Sequence, residues 1–255
     1  MFKNVIVRRP CRAMVDGITT ADLGRPDYGL ALKQHDNYIE ALKQCGVEVT
    51  ILESNEEFPD SCFMEDVALC TKHCVIITRP GALSRRKEIL QEDIQAALSK
   101  FFQHIEYIKE PGTVEAGDIM MVGNHFYIGL SERTNEEGAN QMISILGKYG
   151  LTGSVVPLEK VLHLKTGLSY IENNNLLVAG EFVESPIFKD FNKIIINDEE
   201  GYSANCIWVN HIVLVPKGYP ITKTSIESLG YKVIEVDTSE YRKIDGGLSC
   251  LSLRF

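Results

Sequence analysis

The chain has 255 residues, 44% hydrophobic and 24% charged, the makeup of a globular protein rather than a disordered tail, a collagen or a coiled coil. Its 26 Lys+Arg against 35 Asp+Glu give a formal net charge of −9, which argues against nonspecific attraction to nucleic acid or anionic lipid and favours a cationic small molecule. A chain of this length buries a large core without disulfide staples, and its seven scattered cysteines fit a reducing compartment, with the cytoplasm as the expected location.

The opening MFKNVIVRRP has a three-residue apolar run before Arg8 and Arg9, too short for the centre of a secretory signal, and reads as a strand. No later segment approaches the roughly 18 uninterrupted apolar residues of a membrane helix. Asp27 to Cys45 predicts a first helix, with Tyr28, Ala31, Leu32, Tyr38, Ile39 and Leu42 on one face and Gly46 as its stop. Arg86 to Phe102 predicts a second, carrying Leu90, Ile94, Ala97, Leu98 and Phe101. Asn135 to Tyr149 predicts a third, opened by a capping Asn and two Glu and ended by Gly150. Short runs rich in Val and Ile at 5 to 7, 49 to 52, 75 to 78 and 233 to 236 predict strands.

The segments VALCTKHCVIITR (67 to 79), IMMVGNHFYIGLS (119 to 131), LSYIENNNLLVAG (168 to 180) and CIWVNHIVLVPKG (206 to 218) share one design: apolar strand, polar tip, apolar strand. A fifth first strand, CLSLRF at 250 to 255, finds its partner in the N-terminal VIVRR. Five hairpins, most followed by a helix and a further strand, predict a radially repeated ββαβ unit: an α/β fold closed as a five-bladed propeller, with 1–255 a single domain. In such a ring the starts of equivalent strands converge. Those positions hold Glu65-Asp66, Glu115 to Asp118, His163 to Gly167, Asn205 and Ser249-Cys250: a thiol, an imidazole and several carboxylates, as an enzyme for a cationic substrate requires.

Cys250 follows a flexible Gly246-Gly247 pair and is the candidate nucleophile; a lone Cys is more often a small buried hydrophobe, but its place at a converging strand start favours chemistry. His163 is the candidate group that protonates a leaving amine and deprotonates water. Glu115 is placed to orient that imidazole or bind a cation. Asp60, Glu65 and Asp66 lie among Phe58, Pro59, Phe63 and Met64, a pattern suited to partly buried carboxylates facing a guanidinium. Arg85 and Arg133 precede helices and are candidates to grip a carboxylate. Cys70, His73 and Cys74 lack a second pair at zinc spacing, so no structural zinc is expected. Gly-rich phosphate-binding loops are also missing, so no nucleotide cofactor is expected.

FPDSCFMEDVA, ITRPGALSRR, PGTVEAGDIMMVGNHFYIGLSERTNEEG, LEKVLHLKTGLSYIE and EYRKIDGGLSCLSLRF together resemble the bacterial dimethylarginine dimethylaminohydrolases of the guanidine-modifying pentein superfamily, from Met1 to Phe255. The resemblance implies a five-bladed α/β propeller and hydrolysis of Nω-methylated arginines to citrulline and methylamines, without metal or organic cofactor. It makes Cys250 the nucleophile and His163 the proton donor, with Glu115 and Asp66 on the guanidinium nitrogens. It places Asp60, Glu65, Arg85 and Arg133 at the amino-acid end, with backbone contacts near Ile18 and Ile244. The nearest rival, arginine deiminase, is generally longer, with an inserted helical region that this chain lacks. Agmatine deiminase is disfavoured because Arg85 and Arg133 offer partners for a carboxylate that agmatine lacks. A citrulline-binding or citrulline-cleaving relative is a further alternative. A noncatalytic propeller module, as in a ribosome-associated translation factor, is disfavoured by the thiol and imidazole together. Exposed faces of the repeated units leave room for a homodimer.

Overall fold

A computed structural model describes all 255 residues, Met1–Phe255, as an α/β protein with five three-stranded sheets. Strand β1 (Asn4–Arg8), helix α1 (Tyr28–Gln44) and β2 (Glu48–Leu52) open the chain, followed by β3 (Ala68–Cys70), β4 (Val75–Ile77), α2 (Glu92–Ser99) and β5 (Ile105–Tyr107). Next come β6 (Ile119–Val122), β7 (His125–Leu130), α3 (Glu136–Lys148) and β8 (Thr152–Pro157), then β9 (Leu168–Tyr170), β10 (Asn175–Val178) and β11 (Asn192–Ile195). The last stretch is β12 (Ile207–Val209), β13 (Ile212–Pro216), α4 (Pro220–Ser228), β14 (Lys232–Val236), α5 (Ser239–Arg242) and β15 (Leu253–Arg254).

Every sheet has the same plan. A first strand pairs antiparallel with the second across a tight tip, and the second pairs parallel with the third after a crossover. The first sheet draws on both ends of the sequence: β15 supplies its first strand, antiparallel to β1 with Val5 opposite Arg254, and β2 lies parallel on the other side. First strands of neighbouring sheets lie against one another, β15 with β3, β6 with β9 and β9 with β12. The middle strands are buried along their length, as in β4, β10 and β13, which explains why they read as unbroken apolar runs.

The helices follow their sequence signals. Asp27 caps α1 by accepting from Leu30 N at 2.8 Å, and Gly46, in the left-handed region at φ +78, follows its end. Asn135 caps α3 by accepting from Gly138 N at 2.8 Å. At Gly138 a Cβ would sit 2.0 Å from the Thr113 carbonyl oxygen, so glycine is what lets α3 seat against that loop.

Two expectations are corrected. The helix expected over Arg86 to Phe102 is helical only from Glu92 to Ser99; before it the chain makes 3-10 turns at Leu83–Arg85 and Glu88–Leu90. The cause is the inward turn of Arg85 and Glu88 into a buried ion pair, which leaves Leu90 66% and Phe101 40% exposed instead of on an apolar stripe. The fourth unit lacks the helix of the ββαβ pattern: between β10 and β11 run two 3-10 turns, Gly180–Phe182 and Pro186–Phe188, where Gly180 takes φ +54 and Pro186 withholds an N–H. No helix is long and apolar enough to cross a membrane.

Candidate active site

A short 3-10 turn precedes the first strand of every sheet: Met64–Val67, Ala116–Asp118, Leu164–Thr166, Asp198–Ala204 with Asn205 at its end, and Ser249–Leu251. Side chains tie these turns into a closed circuit. Asp66 Oδ1 accepts from Gly117 N at 2.9 Å, and Asp118 Oδ1 from Leu164 N at 3.0 Å. Asn205 donates through Nδ2 to the Lys165 carbonyl at 3.0 Å and accepts from Ser249 N at 2.9 Å. Ser249 Oγ donates to Glu65 Oε2 at 2.8 Å, which returns to the first turn. The convergence expected from the repeat is thus present.

Two cavities meet at His163 and Cys250. A narrow one of about 40 Å³ is lined by Ile18, Asp60, Asp66, Arg85, Glu115, Arg133 and Ile244 among others, and a wider one of about 350 Å³ by Glu65, Lys165, Tyr202 and Arg242 among others. Of the ten residues singled out in the sequence, nine border the narrow cavity. Glu65 does not: it lies on the wider side, held by Lys165 Nζ at 2.7 Å, Arg254 Nη2 at 2.9 Å and the Ser249 hydroxyl.

His163 Nε2 lies 2.9 Å from Glu115 Oε2. Glu115 Oε1 accepts from Ala82 N at 3.0 Å and lies 3.8 Å from Arg133 Nη1. The imidazole packs over Gly117, where a Cβ would fall 3.0 Å from Nδ1 and 2.9 Å from Asp66 Oδ1; only glycine allows that approach without displacement. Burial alone would depress the His163 pKa, but the Glu115 hydrogen bond and the charges of Asp118 and Asp66 raise it to about 9, so the ring is a cation at neutral pH. Glu115 is correspondingly held well below the usual carboxylate range: burial opposes its charge, and the His163 and Arg85 cations and the Ala82 N–H overcome that.

Cys250 faces opposite electrostatics. Burial, then the charges of Glu65 and Asp66, push its thiol up to about 12 against the weaker pull of Gly247 N–H and Lys165. Burial and the two carboxylates thus favour the neutral thiol until a further cation arrives beside the sulfur. Arg85 is buried beneath Asp66. It donates through Nη1 to Asp66 at 2.6 Å, through Nε and Nη2 to Glu88, and through Nη2 to the Phe63 carbonyl at 2.9 Å. Arg133 has a single, long contact to a carboxylate and is the more open of the two arginines. Asp60 accepts from Ile18 N at 3.0 Å, and burial raises its pKa above the usual range.

Asp66, Glu115 and His163 are the one group of candidate metal ligands, with ligand atoms within 4.8 Å of one another. Arg85, Gly117 N, Ala82 N and the imidazole already engage these carboxylate oxygens, and two cations against the pair make an ion-paired relay rather than a metal cradle. Sequence reading missed Glu88 and Arg254 as partners of the site, and placed Lys165 at a converging strand start without naming its pairing with Glu65. Glu88 carried a signal, its i,i+3 spacing from Arg85; Arg254 carried none, because its partner lies 189 residues away.

A thiol and an imidazole on the common wall of two carboxylate-lined cavities, set on five sheets of one plan, fit an enzyme acting on a cationic substrate. Comparison with known proteins narrows the class. The family model for eukaryotic N,N dimethylarginine dimethylhydrolase matches residues 28–196. The N(G),N(G)-dimethylarginine dimethylaminohydrolase of Pseudomonas aeruginosa is 64% identical, with all of both chains covered. A solved structure of the Pseudomonas aeruginosa enzyme, a cysteine-to-serine mutant complexed with citrulline, superposes with a TM-score of 0.98 at 63% identity over the whole of both chains. A dimethylarginine dimethylaminohydrolase adduct with S-methyl-L-thiocitrulline, a histidine-to-glycine variant, gives the same TM-score of 0.98, identity and coverage. The chain belongs to the dimethylarginine dimethylaminohydrolase family.

Proposed function

We propose that this protein hydrolyses Nω-methylated arginines to citrulline and dimethylamine or methylamine through a covalent thiouronium on Cys250. The observation that carries the reading is the meeting of Cys250 and the His163–Glu115 pair at a narrow cavity that buried Asp66 and the more exposed Arg133 also line. Family membership agrees with it: the relatives bear that activity in their names, and one is complexed with citrulline. The five sheets act as blades of one propeller and residues 1–255 as one catalytic domain, with neither metal nor organic cofactor in the reaction. The seven free cysteines suit a cytoplasmic setting.

The substrate guanidinium lies between Asp66 and Glu115, with Arg133 and Asp60 taking the α-carboxylate and α-ammonium and the Ile18 and Ile244 backbone closing over the stem. Arg85 holds Asp66 from behind. The arriving cation lowers the thiol pKa, so Cys250 releases its proton to solvent and the thiolate attacks the central guanidinium carbon. A tetrahedral adduct forms. His163, already protonated, gives its proton to the methylated nitrogen as the C–N bond breaks, leaving a thiouronium and a neutral imidazole. The imidazole then takes a proton from water, the hydroxide adds to the same carbon, and the C–S bond breaks to release citrulline.

The test is citrulline release from asymmetric dimethylarginine, arginine and agmatine in parallel, with Cys250→Ser as control. We expect turnover of the methylated substrate and a loss of about a thousandfold or more in the variant, which should still bind the substrate. Preference for arginine would make this a short deiminase, and full turnover by Cys250→Ser would overturn the mechanism.

A further inference from the structure

Asp118 is fully buried and borders neither cavity, yet two other loops of the site converge on its carboxylate. Oδ2 accepts from Ser131 Oγ at 2.7 Å and from Thr134 Oγ1 at 2.6 Å, and Oδ1 accepts from Leu164 N at 3.0 Å. Each donor adjoins a residue of the reaction. Leu164 follows His163. Thr134 follows Arg133, and its Oγ1 accepts from Glu115 N at 3.1 Å, so one hydroxyl links Asp118 to the backbone of Glu115. Ser131 Oγ accepts from Arg133 N at 3.0 Å and fixes the turn that presents that arginine.

We propose that Asp118 is a positioning residue, which acts through its neighbours: it locks the loops bearing Glu115, Arg133 and His163 to a single anchor and places a fixed negative charge behind the imidazole. The inference rests on the activity proposed above. A buried carboxylate is costly where a neutral side chain would fill the space, and burial pushes the pKa of Asp118 above the usual range. Three donors and the His163 cation compensate that cost, and a structural tie between loops alone does not require a charge. The other groups that bear on His163 are Glu115 and Asp66, which favour its protonated form with Asp118, Arg85 and Arg133 beside Glu115, and Lys165 and Cys250 on the wider cavity.

The experiment separates charge from tether. Asp118→Asn keeps the shape and removes the charge; the double variant Ser131→Ala, Thr134→Val keeps the charge and removes two tethers. His163 titration is followed by NMR of histidine-labelled protein without substrate, beside kcat and KM for asymmetric dimethylarginine and the unfolding midpoint. For Asp118→Asn we expect the His163 titration to move down by about one pH unit, kcat to fall about tenfold to a hundredfold, and KM to stay within about threefold. For the double variant we expect an unmoved titration and a KM raised about tenfold as Arg133 and Glu115 loosen. An unmoved His163 titration with wild-type kcat in Asp118→Asn overturns the proposal. If that variant does not fold, wild-type kcat and KM in the double variant overturn it. Because the titration needs no substrate, a wild-type protein that releases no citrulline refutes the proposed activity separately.

Discussion

Cys250 combines a thiol that burial and two carboxylates keep neutral with a position on the wall of a cavity lined by further carboxylates. Its alkylation by iodoacetamide at pH 7 should therefore be slow in the free protein and rise when a guanidinium ligand that leaves the sulfur accessible occupies the cavity; a rate equal with and without the ligand would refute substrate-assisted ionisation. His35 on α1 makes a different pH prediction. It is fully buried with neither ring nitrogen hydrogen-bonded, and burial, then the Arg9 charge, lower its pKa from 6.5 to about 4. The unfolded chain binds the proton more readily, so the contribution of neutral His35 is fully present above about pH 6.5 and is lost as pH falls through about 4, on the order of 3 kcal/mol in all. Urea unfolding of wild type and His35→Leu across that range should converge in slope above pH 6.5 and diverge below it; parallel curves would show that His35 does not titrate on unfolding. The side-chain types that meet at the two cavities were legible in the sequence because thiol, imidazole and carboxylates recur at equivalent strand starts. His35 was not, since a helix pattern marks it as a polar position beside Gln34, which is also buried.

At the scale of elements, the site depends on 3-10 turns that bring backbones closer than side chains permit. Gly117→Ala places a methyl against both Asp66 Oδ1 and His163 Nδ1. Because Gly117 is not in the left-handed region, the substitution strains contacts rather than dihedral angles, so we expect kcat/KM to fall about tenfold to a hundredfold with a small change in unfolding midpoint. Native rates in that variant would mean the imidazole has freedom that the packing denies it. The hairpins were legible because strand, tip and strand are local and alternate clearly. The second helix was overextended because Leu90 and Phe101 fit a helical period, while the force that breaks it, the inward pairing of Arg85 with Asp66 and Glu88, links residues a periodicity count treats as polar surface.

Across the whole molecule, the two ends of the chain are joined by β15 beside β1 and by the ion pairs that follow it inward. Arg254 Nη2 reaches Glu65, while Nη1 donates to Ser252 Oγ and to the Ser249 carbonyl. Arg254→Ala leaves a buried carboxylate with Lys165 as its sole cationic partner, and we expect a loss of about 3 kcal/mol in urea unfolding; a change below about 0.5 kcal/mol would show that strand pairing alone holds the chain ends together. The repeat already brought Ser249 towards Glu65 across 184 residues, but it gave no sign of Arg254, whose tie to Glu65 spans 189. The same geometry has a practical consequence at the opposite ends of the first strands. Each hairpin tip, at Lys72-His73, Gly123-Asn124, Asn173-Asn174 and Asn210-His211, lies one short strand, about 10 Å or more, from the turn that carries the chemistry, and Gly123, Asn173, Asn174, Asn210 and His211 take the left-handed conformation that makes these corners compact. A dye, an affinity handle or a solid support attached there would hang on the side away from the converging turns, so the molecule can be immobilised with Cys250 and His163 facing the sample.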